Sequence, residues 1–226
     1  MQDTFSGVIF DMDGVLIDSE PIVKRCGQAA AKVFGAELSD SLYNNLIGLP
    51  AKEVESGLQI AFGDKFPMQS FRDELERLWH EHVDTNGMPI KPGVEHLLKS
   101  LLDADIPFAV ATSTPSERAH FSLDTAGILH YFEHIVGGDQ VSNGKPEPEI
   151  FLTAANLISI APKSCIAIED SAVGVRAASS AGMYTIMIPD QKEPDDATKE
   201  RYHELHPSMS IATKRIFELL SNAEIK

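Results

Sequence analysis

Five short apolar runs punctuate the chain: Gly7 to Phe10, Phe108 to Ala111, His134 to Val136, Cys165 to Ile168 and Tyr184 to Ile188. Each is continuous rather than alternating and rich in β-branched residues, the pattern of strands buried on both faces of a parallel sheet. Helical segments lie between the last four. Pro92-Gly93 opens one that runs to about Ala104, Ser116 opens one that stops at Gly127, and Pro148-Glu149 opens another. Ser171 can cap a small-residue helix, Ala172 to Ala181, which Gly182 ends. Strand, helix, strand in succession predicts an α/β fold with a doubly wound parallel sheet, a Rossmann-like core.

The stretch from Asp11 to Pro107 is far longer than a crossover of about a dozen residues needs. Ile22 to Phe34, Ser41 to Ile47, Lys52 to Phe62 and Ser70 to Val83 carry amphipathic spacing, with Gly35 and Gly63 as stops. The expected organisation is a core of residues 1–17 and 90–226 with an α-helical cap domain, 18–89, inserted into it. Leu16 to Ser19 leads out and Asn86 to Pro92 leads back. Two close joints between two compact bodies suit a hinge that closes the insert over a site. Asp190 to Asp196 reads as an acidic surface loop.

Composition narrows the function classes. An apolar fraction of 43% over 226 residues supports a packed core. No apolar stretch approaches the roughly 20 residues that span a bilayer, and Met1 to Thr4 carries no leader signature, so a cytoplasmic protein is expected. Cys26 and Cys165 lie far apart and outside any zinc spacing, which fits a reducing compartment. The formal net charge of −15 argues against nucleic acid and anionic membrane as partners. An anionic substrate would need a local cation to overcome that field.

In a parallel sheet the carboxyl ends of the strands share one edge, where ligands bind. The first run delivers Asp11 and Asp13, and the second Thr112-Ser113-Thr114. The third leads into Ser142-Asn143-Gly144-Lys145-Pro146, and the fourth delivers Glu169-Asp170-Ser171. Singly, each has a plain structural explanation: Asp-x-Asp-Gly makes turns, Thr112 can finish a strand, Lys145 can be a solvated loop residue, and acids favour a helix N-terminus. Together, on one edge, they suit attack of a carboxylate on a phosphoryl group beside a hard divalent cation. Asp11 would attack and Asp13 would give and take the proton, help worth about 10²–10⁴-fold. Lys145, Thr112 and Ser113 would hold phosphate oxygens. Asp11, Asp170 and a carbonyl at Asp13 would ligate Mg²⁺, with Glu169 behind them.

Asp11-Met12-Asp13-Gly14-Val15, Thr112, Lys145 and Glu169-Asp170 resemble the four ordered motifs of the haloacid dehalogenase-like hydrolase superfamily. The inserted helices resemble the cap of members that include phosphoglycolate phosphatases and β-phosphoglucomutases. That resemblance implies Mg²⁺ dependence, an aspartyl-phosphate intermediate and a cap that shapes specificity. The expected activity is phosphatase action on a small phosphorylated metabolite, such as a sugar phosphate. A sugar phosphomutase is the alternative, disfavoured because Val23 and Ala51 stand where the mutases resembled would carry a histidine and an arginine. A regulator that binds a phosphorylated ligand without catalysis is the alternative from another class, disfavoured because every motif acid is present. Lys52, beside Ala51, reads as an exposed helix-start residue and otherwise as a contact to a substrate's distal group. His80 and His82 read as surface or packing residues. A monomer or weak dimer suffices for this chemistry.

Overall fold

A computed structural model describes residues 5–49 and 51–221. Met1 to Thr4 lie outside it, and so does the side chain of Ala51. Six parallel strands form one sheet in the order β3-β2-β1-β4-β5-β6. They are β1 (Gly7–Phe10), β2 (Phe108–Ala111), β3 (Ile135–Val136), β4 (Cys165–Glu169), β5 (Tyr184–Met187) and β6 (Glu204–Leu205). β1 lies between β2 and β4, with Ile9 in register with Ala109 on one side and Ala167 on the other.

The period of two along the strands sorts their side chains to two packed layers. Val8 and Phe10 face α5 (Val94–Asp103), α6 (Ser116–Thr125) and α10 (Met209–Ser221), sharing a cluster with Leu97, Leu101, Leu123 and Ile216. Ile9 faces α7 (Glu149–Leu157) and α8 (Ala172–Ser180), against Ile150, Phe151, Ala177 and Ala178. Helices on both faces leave the middle strands no solvent side, which explains runs of apolar residues without alternation. Truncating Phe151, fully buried here, would cost about 3–5 kcal/mol.

Between β1 and α5 lie α1 (Glu20–Val33), α2 (Asp40–Leu46), α3 (Ala51–Phe62) and α4 (Met68–Asn86). Their inner faces form a separate cluster around Ala30, Leu38, Leu58 and Phe71, walled by Phe34, Phe62 and Phe66. Other positions on α1 and α4, namely Ile22, Cys26, Trp79 and Val83, belong to the main core. The Arg118 guanidinium of α6 lies over the Trp79 ring, 4.1 Å from a ring centroid. His80 packs edge-on to Trp79 and against Phe121. The helical insert is therefore fused to the core along one seam, as well as being joined through its two connections.

Those connections are bound to each other. The Asp18 amide donates to the Pro89 carbonyl at 2.8 Å and the Lys91 amide to the Leu16 carbonyl at 2.9 Å. Lys91 Nζ pairs with Asp18 at 3.3 Å and with Asp190 at 2.6 Å. Beyond β5 come α9 (Asp196–Lys199), β6 and α10, which the strand pattern leaves unread. Among the described residues, no helix is long and apolar enough to cross a membrane.

Candidate active site

The strand order reverses between β1 and β4, so their carboxyl ends flank the crevice of the sheet. Asp11 follows β1 directly; its amide donates to the Ile168 carbonyl at 2.9 Å, and only 6% of the residue is exposed. The chain then turns tightly, with the Leu16 and Ile17 amides both donating to the Met12 carbonyl. Gly14 holds a left-handed φ of 80° in this turn, and a Cβ there would run into the Asp170 carboxylate. The turn sets Asp13 under two hydroxyls: Ser19 Oγ donates to one carboxylate oxygen at 2.5 Å and Thr114 Oγ1 to the other at 2.8 Å.

Thr112 directly follows β2, and its hydroxyl oxygen accepts from the Thr114 amide at 3.1 Å, leaving the hydroxyl proton free. Lys145 comes from the loop before α7. Glu149 tethers that loop by accepting from the Ser142 and Asn143 amides. The Lys145 side chain is buried, with Nζ donating to Asp11 Oδ1 and, at 2.6 Å, to Glu169 Oε1. The other Glu169 oxygen accepts from the Asp170 and Ser171 amides and the Ser171 hydroxyl. Glu169 has this seat because residue 174 is glycine, since a Cβ there would overlap the carboxylate. Both Glu169 oxygens are thus committed. No hydrogen bond from a described residue reaches the Asp170 carboxylate.

Asp11, Glu169 and Asp170 each offer an oxygen within 4.8 Å of the others. Two buried carboxylates, Asp11 and Glu169, pair with one ammonium beside the half-buried Asp170, and the titrations follow. Burial raises Asp11 to about 8; Lys145 opposes that, while Glu169 and Asp13 add repulsion. Burial, followed by Glu169 and Asp11, lifts Asp170 well above the carboxylate range. Burial works against the Lys145 charge, yet Asp11 and Glu169 outweigh it and keep the ammonium above its usual range. Hard oxygen donors in mutual repulsion, one of them unpartnered, fit a hard divalent cation.

A cavity of about 420 Å³ opens over this cluster. Its floor includes Asp11, Asp13, Thr112, Ser113, Lys145 and Asp170, brought together from four separate segments, with Glu169 beneath. Its roof is Glu20 at the start of α1, the residues after α2 and the loop following β5. Tyr43 donates its hydroxyl proton to Glu20 Oε2 at 2.5 Å, and burial raises the Glu20 carboxyl. Lys192 Nζ donates to the Ile47 carbonyl at 2.7 Å, crossing from the core to the insert.

One expectation changes. The Asp190 to Asp196 segment is not merely an acidic surface loop: Gln191 to Asp195 line the cavity, and the Asp190 side chain is buried against Lys91. Lys52 is exposed in the first turn of α3, in line with its reading as a helix-start residue, and is not among the residues that line the cavity. Reading strand ends also missed Ser19, Glu20 and Lys192. The signal for Lys192 was present, because the end of β5 belongs to the same edge as the other four. Ser19 and Glu20 are the polar residues at the joint itself.

A family profile described as haloacid dehalogenase-like hydrolase matches residues 8–188. A phosphorylated carbohydrates phosphatase of Thermotoga maritima is 36% identical over 183 residues, covering 79% of this chain and 82% of its own. Hexitol phosphatase A of Escherichia coli is 33% identical over 183 residues, covering 80% and 82%. Among solved structures, a HAD family hydrolase from Deinococcus radiodurans with bound phosphate and sodium matches with a TM-score of 0.78 at 28% identity. That match covers 97% of this chain and 99% of the other.

Proposed function

The chain belongs to the haloacid dehalogenase-like hydrolase family and is a phosphoric monoester hydrolase; we propose that it removes phosphate from small phosphorylated sugars or polyols through an aspartyl-phosphate on Asp11. One observation carries this reading. Asp11 lies on the cavity floor with Lys145 bound to Oδ1 and with no hydrogen bond from a described residue at its other oxygen, which is left to attack.

That oxygen attacks phosphorus in line, the bond from phosphorus to the alcohol oxygen breaks, and Asp13 gives that oxygen its proton. Water then attacks the acyl phosphate, Asp13 takes a proton from it, and the bond from phosphorus to Asp11 breaks to release phosphate. Hydroxyls both donate and accept, so Ser19 and Thr114 can hold Asp13 in its ionised and protonated forms. Thr112, Ser113 and Lys145 face the transferring oxygens, with the Thr112 hydroxyl proton free for that contact. The Asp11 and Asp170 carboxylates and the Asp13 carbonyl are the proposed Mg²⁺ ligands, and Glu169 fixes Lys145 and the Asp170 backbone beside them. Bound there, Mg²⁺ supplies the positive charge that lets a phosphate dianion approach a carboxylate.

Residues 18–89 act as the cap and 1–17 with 90–226 as the catalytic core. A cytoplasmic location fits the two free, buried cysteines, and one subunit carries the whole site. The test is a phosphate-release screen over sugar, polyol and nucleoside monophosphates with Mg²⁺, using Asp11→Asn as the blank. Release confined to wild type and abolished by EDTA supports the reading; equal release by the variant refutes it. Isomerisation that requires a bisphosphate primer, with little free phosphate, would favour a mutase.

A further inference from the structure

The roof of the cavity is charged in one direction. Among the described residues Glu20, Glu193 and Asp195 line it against one cation, the exposed Lys192, which gives one of its three N–H donors to the Ile47 carbonyl at 2.7 Å. The floor's one lysine, Lys145, is held between Asp11 and Glu169. Among the described residues no arginine lines the cavity. A second anionic group on a substrate would therefore meet three carboxylates and one exposed ammonium among the described roof residues.

Glu20 is the roof's fixed polar group. Its Oε2 is held by Tyr43, while no hydrogen bond from a described residue reaches its Oε1. Such an oxygen can only accept, so it discriminates between groups that bring a proton and groups that bring negative charge. The cavity volume, about 420 Å³, is near the small end of the roughly 300–1,000 Å³ usual for ligand sites. It suits a phosphoryl group with a short hydroxylated chain.

We infer that Glu20, oriented by Tyr43, determines the leaving group: it accepts hydrogen bonds from an uncharged hydroxylated alcohol and, with Glu193 and Asp195, turns away alcohols that carry a carboxylate or a second phosphate. This deepens the phosphatase reading and rests on it. The repulsion acts in the mouth of a partly buried site, where like charges a few ångströms apart change binding by roughly tenfold or more.

A matched pair of substrates tests it. Glucitol 6-phosphate and gluconate 6-phosphate differ at the far end, a hydroxymethyl group against a carboxylate, and p-nitrophenyl phosphate has no hydroxylated chain. For the full chain with Mg²⁺, kcat/KM for the glucitol ester should exceed that for the gluconate ester by about tenfold or more, mostly through KM. Glu20→Gln should shrink the ratio to within about threefold. Raising salt from about 0.05 to about 0.5 M should narrow the wild-type ratio by screening, a measurement that needs no variant. Equal kcat/KM for the pair in wild type, or an unchanged ratio in Glu20→Gln, overturns the inference and leaves the phosphatase reading standing. No phosphate release from any of the three overturns the phosphatase reading and the inference together.

Discussion

Floor and roof of the same cavity are built differently. On the floor, Asp13 is held by hydroxyls from two separate segments, Lys145 by two carboxylates and Glu169 by two amides, a hydroxyl and an ammonium. Strand ends and the tethered loop before α7 carry these groups, and the Lys145 and Glu169 side chains are buried. On the roof, Lys192 and Glu193 are exposed, and bonds such as Tyr43 to Glu20 and Lys192 to Ile47 do most of the ordering. Phosphoryl transfer needs charges preorganised within a fraction of an ångström, whereas choosing an alcohol needs a few groups that can change without disturbing the core. Substitutions on the floor should therefore act on kcat, and those on the roof on KM.

The largest effect belongs to Asp11. Asp11→Asn should lower kcat by at least about 10³-fold, because an amide cannot form the acyl phosphate. Its unfolding midpoint should stay near wild type, since Glu169 still pairs Lys145 and a buried carboxylate is gone. Circular dichroism melts beside the phosphate assay check both halves. Asp13→Asn should lower kcat by about 10²–10⁴-fold with KM little changed. A KM effect as large as the kcat effect would place Asp13 in binding rather than proton transfer.

The next effect concerns pH and metal. Asp11 titrates near 8 in the folded, metal-free protein against 3.8 for the free side chain, so the folded state holds the extra proton between those values. Metal-free stability should then fall as pH rises from about 4 to about 8, the unfolded state ionising first. A cation among the carboxylates removes that penalty, so the rise in unfolding midpoint on adding Mg²⁺ should be larger at pH 8 than at pH 5. A rise independent of pH would put the cation elsewhere. Smallest of all, Lys192→Met should change KM a few-fold while kcat holds, as the exposed link to Ile47 is worth about 1 kcal/mol.

The contrast between floor and roof also explains what was legible. β1 to β5 stand out because burial on both faces demands unbroken apolar runs, and the residues after four of them converge on one cavity because parallel strands end at one edge. β6 did not stand out: two residues, Glu204 and Leu205, make no run. The partners of Asp13 were hidden for another reason. Thr114 lies 101 positions away in sequence, and nothing local couples the two. Glu20 and Lys192 gain their setting only from how the insert settles over the core along the Trp79 and Arg118 seam. Spacing within a segment reveals chemistry, while the approach of two bodies decides selectivity.

Acid-quenched turnover with a substrate radiolabelled in its phosphoryl group tests the central claim most directly. Peptide mapping should find the label covalently bound to the peptide that contains Asp11 in wild type, with none in Asp11→Asn. Steady turnover in wild type with the label on another residue would contradict it, as would an Asp11→Asn variant that turns over at the wild-type rate.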